Sequence, residues 1–248
     1  MNNMKKLVVL DWGNITHRAI FAFRNNSQVP FTYTMLRMVI GYLKRIGVTL
    51  DDKIVVAEDF GSWRKEIDKE YKAQRKAFRE SKEDANWWAE VYKESNEFTK
   101  KLELCLPWNF IKIYKMESDD IASMAVRFIE ADEKILISSD EDWQQLCVMP
   151  NVKIFSPYTK KFKIIKNPEK VLLKKIKGDI SDNLLQAPRT EAEFEKRRMI
   201  VDLIHLPEHI ENLIKPVIET LPLKNIYLNK IPFRTCRTEI AKLYHLEE

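Results

Sequence analysis

Three short apolar runs each lead within a few residues into acidic side chains: Lys5–Leu10 (KKLVVL) into Asp11, Lys53–Ala57 (KIVVA) into Glu58 and Asp59, and Lys134–Ile137 (KILI) into Asp140. Continuous apolar runs of this length suit strands covered on both faces, as in a parallel sheet. Phe110–Tyr114 reads as a further strand, with Glu117 shortly after it. Between the runs lie helical patterns. Phe31 to Ile46 is periodic through Leu36, Val39, Ile40, Leu43 and Ile46, and Ser118–Ala131 has an apolar face of Ile121, Met124, Ala125, Phe128 and Ile129. Strands separated by helices predict right-handed βαβ units, hence an α/β fold with a mainly parallel central sheet flanked by helices. Val152–Phe155 and Phe162–Ile165, joined by Pro-Tyr-Thr-Lys, predict a fifth strand and a hairpin edge.

Trp63 to about Leu104 is highly charged and free of Gly and Pro, which predicts a largely helical stretch. Beyond Pro168 helices dominate: Glu169–Lys177, Thr190–His205 and Pro207–Thr220. Thr190 with Glu193 makes a capping box, and Pro216 is expected to kink or end the third helix. On this reading residues 1–167 are the α/β domain and 168–248 a small helical C-terminal region.

The carboxyl ends of the strands in an open parallel sheet are where ligands bind. The first four strands each deliver a carboxylate at or just beyond that end: Asp11, Asp59, Glu117 and Asp140. Asp119 and Asp120 follow Glu117 at a helix start, Asp142 lies two positions past Asp140, and Asp179 and Asp182 are a helical turn apart. Any one such acid is more often a helix cap or a solvated loop residue. Together they would repel strongly without cations. Hard divalent ions fit, and Mg²⁺, with Mn²⁺ as a substitute, outranks zinc because the set contains no His or Cys. Two such ions can activate a water and stabilise the leaving oxygen of a phosphodiester.

A basic pattern accompanies the acids. Lys65, Lys69, Lys72, Lys76 and Arg79 recur in steps of four and three, with Arg64 and Arg75 flanking and Tyr71 interleaved. A basic stripe on one helix face can track phosphates while the aromatic stacks on an unpaired base. It is equally the solvated face of a helix whose i,i+4 partners are Glu66, Asp68, Glu70 and Glu80. Arg18, about two helical turns past Asp11, is a candidate phosphate contact, whereas His17 and the Trp87–Trp88 pair read as structural.

The formal net charge of the 248 residues is +5; setting aside the nine acids named above leaves +14 on the rest of the chain. An acidic hole in a basic surface suits metal ions facing a polyanion. No apolar run approaches the roughly 18 residues of a membrane span, and Met1–Leu10 lacks the features of a secretion signal. Cys105, Cys147 and Cys236 are odd in number and widely spaced, which fits reduced thiols in the cytoplasm.

Particular motifs carry a resemblance. Asp11-Trp-Gly-Asn14 with Arg18, Trp63-Arg64, Glu70-Tyr71-Lys72-Ala-Gln-Arg75, Glu117-Ser-Asp-Asp120, Ile137 to Trp143, and Gly178-Asp179-Ile-Ser-Asp182-Asn183 resemble the flap endonuclease/5′-3′ exonuclease superfamily over about residues 5–183. Pro150–Lys163 resembles its phage enzymes. The resemblance implies one metal held by Asp11, Asp59, Glu117, Asp119, Asp120, Asp140 and Asp142, and a looser second held by Asp142, Asp179 and Asp182. It implies a helical arch over about 62–104 bearing Tyr71, Lys72 and Arg75, with Arg18, Lys72, Asp140 and Asp142 in catalysis. It also implies primer removal in DNA replication on 5′ flaps or RNA–DNA hybrids, by a monomer away from membranes. A single-stranded-DNA-binding protein or sliding clamp would be the partner, and host cytoplasm the location if the source is a phage. After Asn183 relatives continue into a glycine-rich duplex-gripping segment, which here is shortened: no glycine follows Gly178. Two other readings stay open, a PIN-type nuclease of single-stranded nucleic acid or RNA, and a non-catalytic nucleic-acid-binding relative.

Overall fold

The computed structural model describes residues 6–25, 28–74 and 85–246. Its centre is a six-stranded sheet of β1 (Lys6–Asp11), β2 (Lys53–Glu58), β3 (Asn109–Lys112), β4 (Glu133–Ile137), β5 (Val152–Ser156) and β6 (Lys161–Phe162), in the order β3-β2-β1-β4-β5-β6. The first five strands run parallel and β6 pairs antiparallel to β5. The strands expected from the apolar runs are all present.

The sheet is covered on both faces because the central strands are apolar at consecutive positions. Val8 and Leu10 point to one core, with Ile54, Val56, Ile135 and Ile137. Leu7 and Val9 point to the other, with Val55, Ala57 and Leu136, as the two-residue period of a strand requires. The first core is closed by α1 (Trp12–Asn25), α2 (Phe31–Ile46), α4 (Ala85–Glu103) and α9 (Arg234–Leu243). The second is closed by α5 (Ser118–Phe128) and α8 (Glu208–Glu219). Helix α2 keeps its expected bounds and stops at Gly47, whose left-handed φ of 64° lets its amide reach the carbonyls of Leu43 and Lys44. Two further helices, α6 (Glu169–Lys177) and α7 (Glu191–Val201), follow the sheet.

Several local expectations are corrected. The stretch after Trp63 is not one helix: α3 (Arg64–Ile67) is a single turn, Asp68 is extended, and Lys72 takes a left-handed φ of 55°. Lys65, Lys69 and Lys72 therefore do not share a continuous helical face. Arg75, Lys76 and Arg79 lie outside the described residues. Tertiary bonds override helix propensity here, because Trp63, Arg64 and Tyr71 are drawn into buried contacts with acids of α5. Pro216 does not end α8 at its own position; it sits in the last turn, and the helix continues to Glu219. The edge strand stops at Phe162, and Ile164 is exposed. Helix α9, outside every predicted element, seals α2 with Cys236, Ile240 and Leu243. Among the described residues no helix is long and apolar enough to cross a membrane.

Candidate active site

Every strand-end acid named from the sequence lies along the carboxyl edge of the sheet, but the acids are committed to different partners. Asp11 ends β1 and is nearly buried; its Oδ2 accepts from the Ser138 hydroxyl at 2.6 Å and its Oδ1 from the Asn14 amide at 3.0 Å. Burial, with smaller contributions from Asp59 and Asp140, pushes its carboxyl up to about 7. Ser138 also accepts from the Asp140 amide at 3.0 Å, and Asp140 Oδ1 accepts from the Asp142 amide at 2.9 Å. The loop after β4 is thus folded around its own acids. Asp59 follows β2 and is fixed by the Ser118 amide at 2.8 Å. Gly13 permits this approach: a Cβ there would lie 3.0 Å from Asp59 Oδ2.

Glu117 and Asp120 open α5. Asp120 is fully buried and takes Arg64 at 2.7 and 3.1 Å, the Trp63 indole at 3.1 Å and the Glu117 amide at 3.0 Å. Read from the sequence as a metal ligand, Asp120 has donors on both oxygens, one on Oδ1 and three on Oδ2. Glu117 accepts Arg64 at 2.9 Å, the Tyr71 hydroxyl at 3.1 Å and Lys72 Nζ at 2.6 Å. Burial alone would raise its carboxyl, but Lys72 and then Arg64 outweigh burial and hold it at about 2. Arg64 and Tyr71 are corrected as nucleic-acid contacts. Arg64 is 1% exposed and Tyr71 3%, and both face inward as partners of acids. Lys65 and Lys69 remain exposed.

Asp119, on the other side of the same turn, accepts from the Trp143 indole at 2.6 Å, and its carboxyl is raised by burial and then by Asp140. Asp142 is pushed up to about 6, first by burial, then by Asp140, against the pull of Lys175. Asp142, Asp179 and Asp182 each place an oxygen within 4.8 Å of the other two. Among the described residues this is the only group drawn so close. The turn that carries Asp179 and Asp182 is closed by paired bonds between Asp179 and Leu184 at 2.8 and 2.7 Å. Gly178 matters there, since a Cβ would meet the Leu184 carbonyl at 3.2 Å.

The segment bearing Lys72 docks on that turn. Its amide donates to the Asp182 carbonyl at 3.1 Å, Asn183 donates to the Glu70 carbonyl at 2.9 Å, and Gln74 donates to the carbonyls of Ile180 and Ser181 at 3.1 and 2.9 Å. Tyr71 packs with Ile176, Leu184, Ile200 and Val201, so α7 seats the same segment from behind. Arg18 lies 5.6 Å from the centre of the Tyr158 ring and beside the Tyr42 hydroxyl, on the β5 side of the edge. His17 packs among Phe21, Trp88 and Tyr92.

Trp63, Ser138, Trp143 and Lys175 hold the site residues and were not singled out for that part. The two tryptophans are donors to carboxylates, a signal no spacing rule contains. Lys175 enters from α6, with Nζ 2.7 Å from Asp142 Oδ1 and hydrogen-bonded to Asp179. A cleft of about 350 Å³ opens beside it, lined by Asn14, Ser139, Asp140 and Ser181 among others.

The donor set is all oxygen, and several of its acids are raised by burial beside like charges, so a hard divalent ion fits it. The sequence from 6 to 176, well over half of the chain, matches the family model for the 5′-3′ exonuclease N-terminal, resolvase-like domain. The chain belongs to the 5′-3′ exonuclease family. It is 34% identical over 150 residues to the ribonuclease H of Enterobacteria phage T4, covering 57% of this chain and 47% of that one. It is 26% identical over 197 residues to a 5′-3′ exonuclease of Mycoplasmopsis pulmonis (strain UAB CTIP), covering 73% and 61%. The chain therefore spans about half to three fifths of the length of these relatives. The D15 flap endonuclease of bacteriophage T5, solved with DNA and metal ions, superposes with a TM-score of 0.61 at 22% identity, over 87% of this chain and 85% of that one. At that identity the likeness is one of fold.

Proposed function

We propose that this chain is a divalent-metal-dependent 5′-nuclease that hydrolyses phosphodiesters near the 5′ ends of DNA flaps or RNA–DNA hybrids, in primer removal during DNA replication. The observation that carries this reading is one continuous string of interacting carboxylates. Asp11 feels Asp59 and Asp140, Asp119 feels Asp140, Glu117 and Asp142, and Asp142 feels Asp140 and Asp182. Asp11, Asp59, Glu117, Asp119, Asp120, Asp140 and Asp142 would supply the site of one Mg²⁺, with Glu117 and Asp120 sharing their oxygens with Lys72 and Arg64, and Asp142, Asp179 and Asp182 that of a second, with Mn²⁺ able to replace either. Ions bound there supply an activated water and neutralise charge on the leaving oxygen.

The chain's own residues do the rest. Ser138, Trp143 and the Ser118 amide orient Asp11, Asp119 and Asp59. Arg64 and Lys72 hold Glu117 ionised at the mouth of the site. Lys72, Lys65 and Lys69, with Arg18 across the edge, offer cations to the phosphates that run past it. Substrate choice is set beyond Asp182, where only the eight residues 183–190 separate the Asp182 turn from α7. The protein is read as a monomer in the cytoplasm, the host's if phage-encoded, with a single-stranded-DNA-binding protein or a sliding clamp supplying duplex contacts.

The test is cleavage of a 5′-labelled flap, an RNA–DNA hybrid, a nicked duplex and single-stranded RNA in Mg²⁺, Mn²⁺ and EDTA, by wild type and an Asp140→Asn, Asp142→Asn variant. Cleavage of the flap or hybrid that EDTA and the variant both abolish is expected. Preference for single-stranded RNA, or no metal-dependent cleavage, overturns it.

A further inference from the structure

Lys175 sits among the carboxylates of the candidate second-metal position. Its side chain is 10% exposed, on a helix whose neighbour Lys174 instead turns outward to Glu141 at 2.9 Å. Its Nζ is 2.7 Å from Asp142 Oδ1 and is hydrogen-bonded to Asp179, two of the three carboxylates that lie within 4.8 Å of one another. From the opposite side Lys72 Nζ stands 3.8 Å from the third, Asp182. Three carboxylates this close to one another attract a cation. Lys175 spans two of the three, and α6 fixes where its stem begins. An ordinary surface ion pair would be exposed and weak. Here the lysine is nearly buried and both acids are largely covered.

We infer that the Lys175 ammonium occupies the Asp142–Asp179–Asp182 site as a tethered cation that the second divalent ion must displace. This rests on the metal-dependent reading above and deepens it. The ammonium and the ion need the same oxygens, so they bind in competition, and occupancy of the second position becomes a function of metal concentration. The four-carbon stem allows the exchange. The cleft beside Asp140 and Ser181, which Lys175 itself lines, is where the ammonium would swing. A purely structural ion pair would instead stay in place and leave metal affinity untouched.

Mn²⁺ binding to the full chain distinguishes the two, by calorimetry and by loss of the free-ion EPR signal. The proteins compared are wild type, Lys175→Met, Lys175→Gln as a second neutral variant, and Lys175→Arg, which keeps the charge. Loss of a charge-assisted bond to the acids should tighten the weaker Mn²⁺ about tenfold to a hundredfold in the neutral variants. Lys175→Arg should not tighten it, and the stronger ion should be unaffected throughout. The neutral variants should also melt lower than wild type in EDTA and gain more from Mn²⁺ than wild type gains. Two ions bound with unchanged affinities in a folded neutral variant overturn the inference and leave the metal-dependent reading standing, as does equal tightening in Lys175→Arg. Absence of Mn²⁺ binding in wild type and variants overturns both.

Discussion

Replacing Arg64 with methionine separates two accounts of the same residue. From sequence it flanks a phosphate-tracking stripe; in the fold its guanidinium is 1% exposed, 2.9 Å from Glu117 and 2.7 Å from Asp120, with Nε donating to the Ile200 carbonyl at 2.6 Å. Removing it leaves the fully buried Asp120 without a cation, held only by the Trp63 indole and the Glu117 amide, and leaves Glu117 with Lys72 and Tyr71. Breaking a buried pair by deleting one partner costs about 3–5 kcal/mol. For a chain of this size each kcal/mol is worth about 2–4 °C, so the melting temperature in EDTA should fall by about 6–20 °C. Adding Asp120→Asn removes the stranded charge, so the double variant should be more stable than Arg64→Met alone. Urea denaturation followed by circular dichroism reads both. If Arg64→Met unfolds within about 1 kcal/mol of wild type and instead loses nucleic-acid affinity with a shallower salt dependence, Arg64 is a phosphate contact and the buried assignment fails.

Other consequences follow from the same geometry. In the folded, metal-free protein the Asp11 carboxyl stands at about 7 against an ordinary 3.8, so the fold favours its protonated form. Stability in EDTA should therefore fall as pH rises from 5 toward 7, by at most about 3 kcal/mol from this group. Asp142, raised to about 6, acts in the same sense, and Glu117, lowered to about 2, acts only below this range. Saturating Mn²⁺ should remove the fall, and a flat profile in EDTA refutes it. Gly13→Ala gains about 0.5–1 kcal/mol of helix propensity in α1. Its new Cβ would lie 3.0 Å from Asp59 Oδ2, so Mn²⁺ affinity by calorimetry should drop while the melting temperature holds. Trp143→Phe keeps the buried ring but deletes the indole donor to Asp119, and should weaken Mn²⁺ binding by about 10–100-fold. Unchanged affinity there would show that Asp119 needs no orientation.

How far the sequence could be read depended on how local each signal was. The buried strands, helix α2 and the acids at the strand ends are carried by short contiguous patterns, and these stand in the fold where they were expected. Trp63, Arg64 and Tyr71 looked like part of a solvated helix because their sequence neighbours are charged. What turns them inward is the pair Glu117 and Asp120, more than forty positions away. Trp143 and Ser138 escaped notice for the opposite reason: an indole or hydroxyl beside an acid has no distinctive spacing.

The sequence by itself determined a parallel α/β sheet, the edge at which its acids gather, and the hard, oxygen-only character of that edge. Periodicity and residue chemistry are local properties, and they suffice for that much. Only the tertiary structure decided which partner each acid takes. Asp120 is paired with Arg64, Glu117 is shared with Lys72, and the Asp142–Asp179–Asp182 group holds the Lys175 ammonium. Those outcomes turn on which cation the packing of α6, α7 and the turn after α3 carries to within about 3 Å of each carboxylate, where Coulomb energies in a partly dry site are largest.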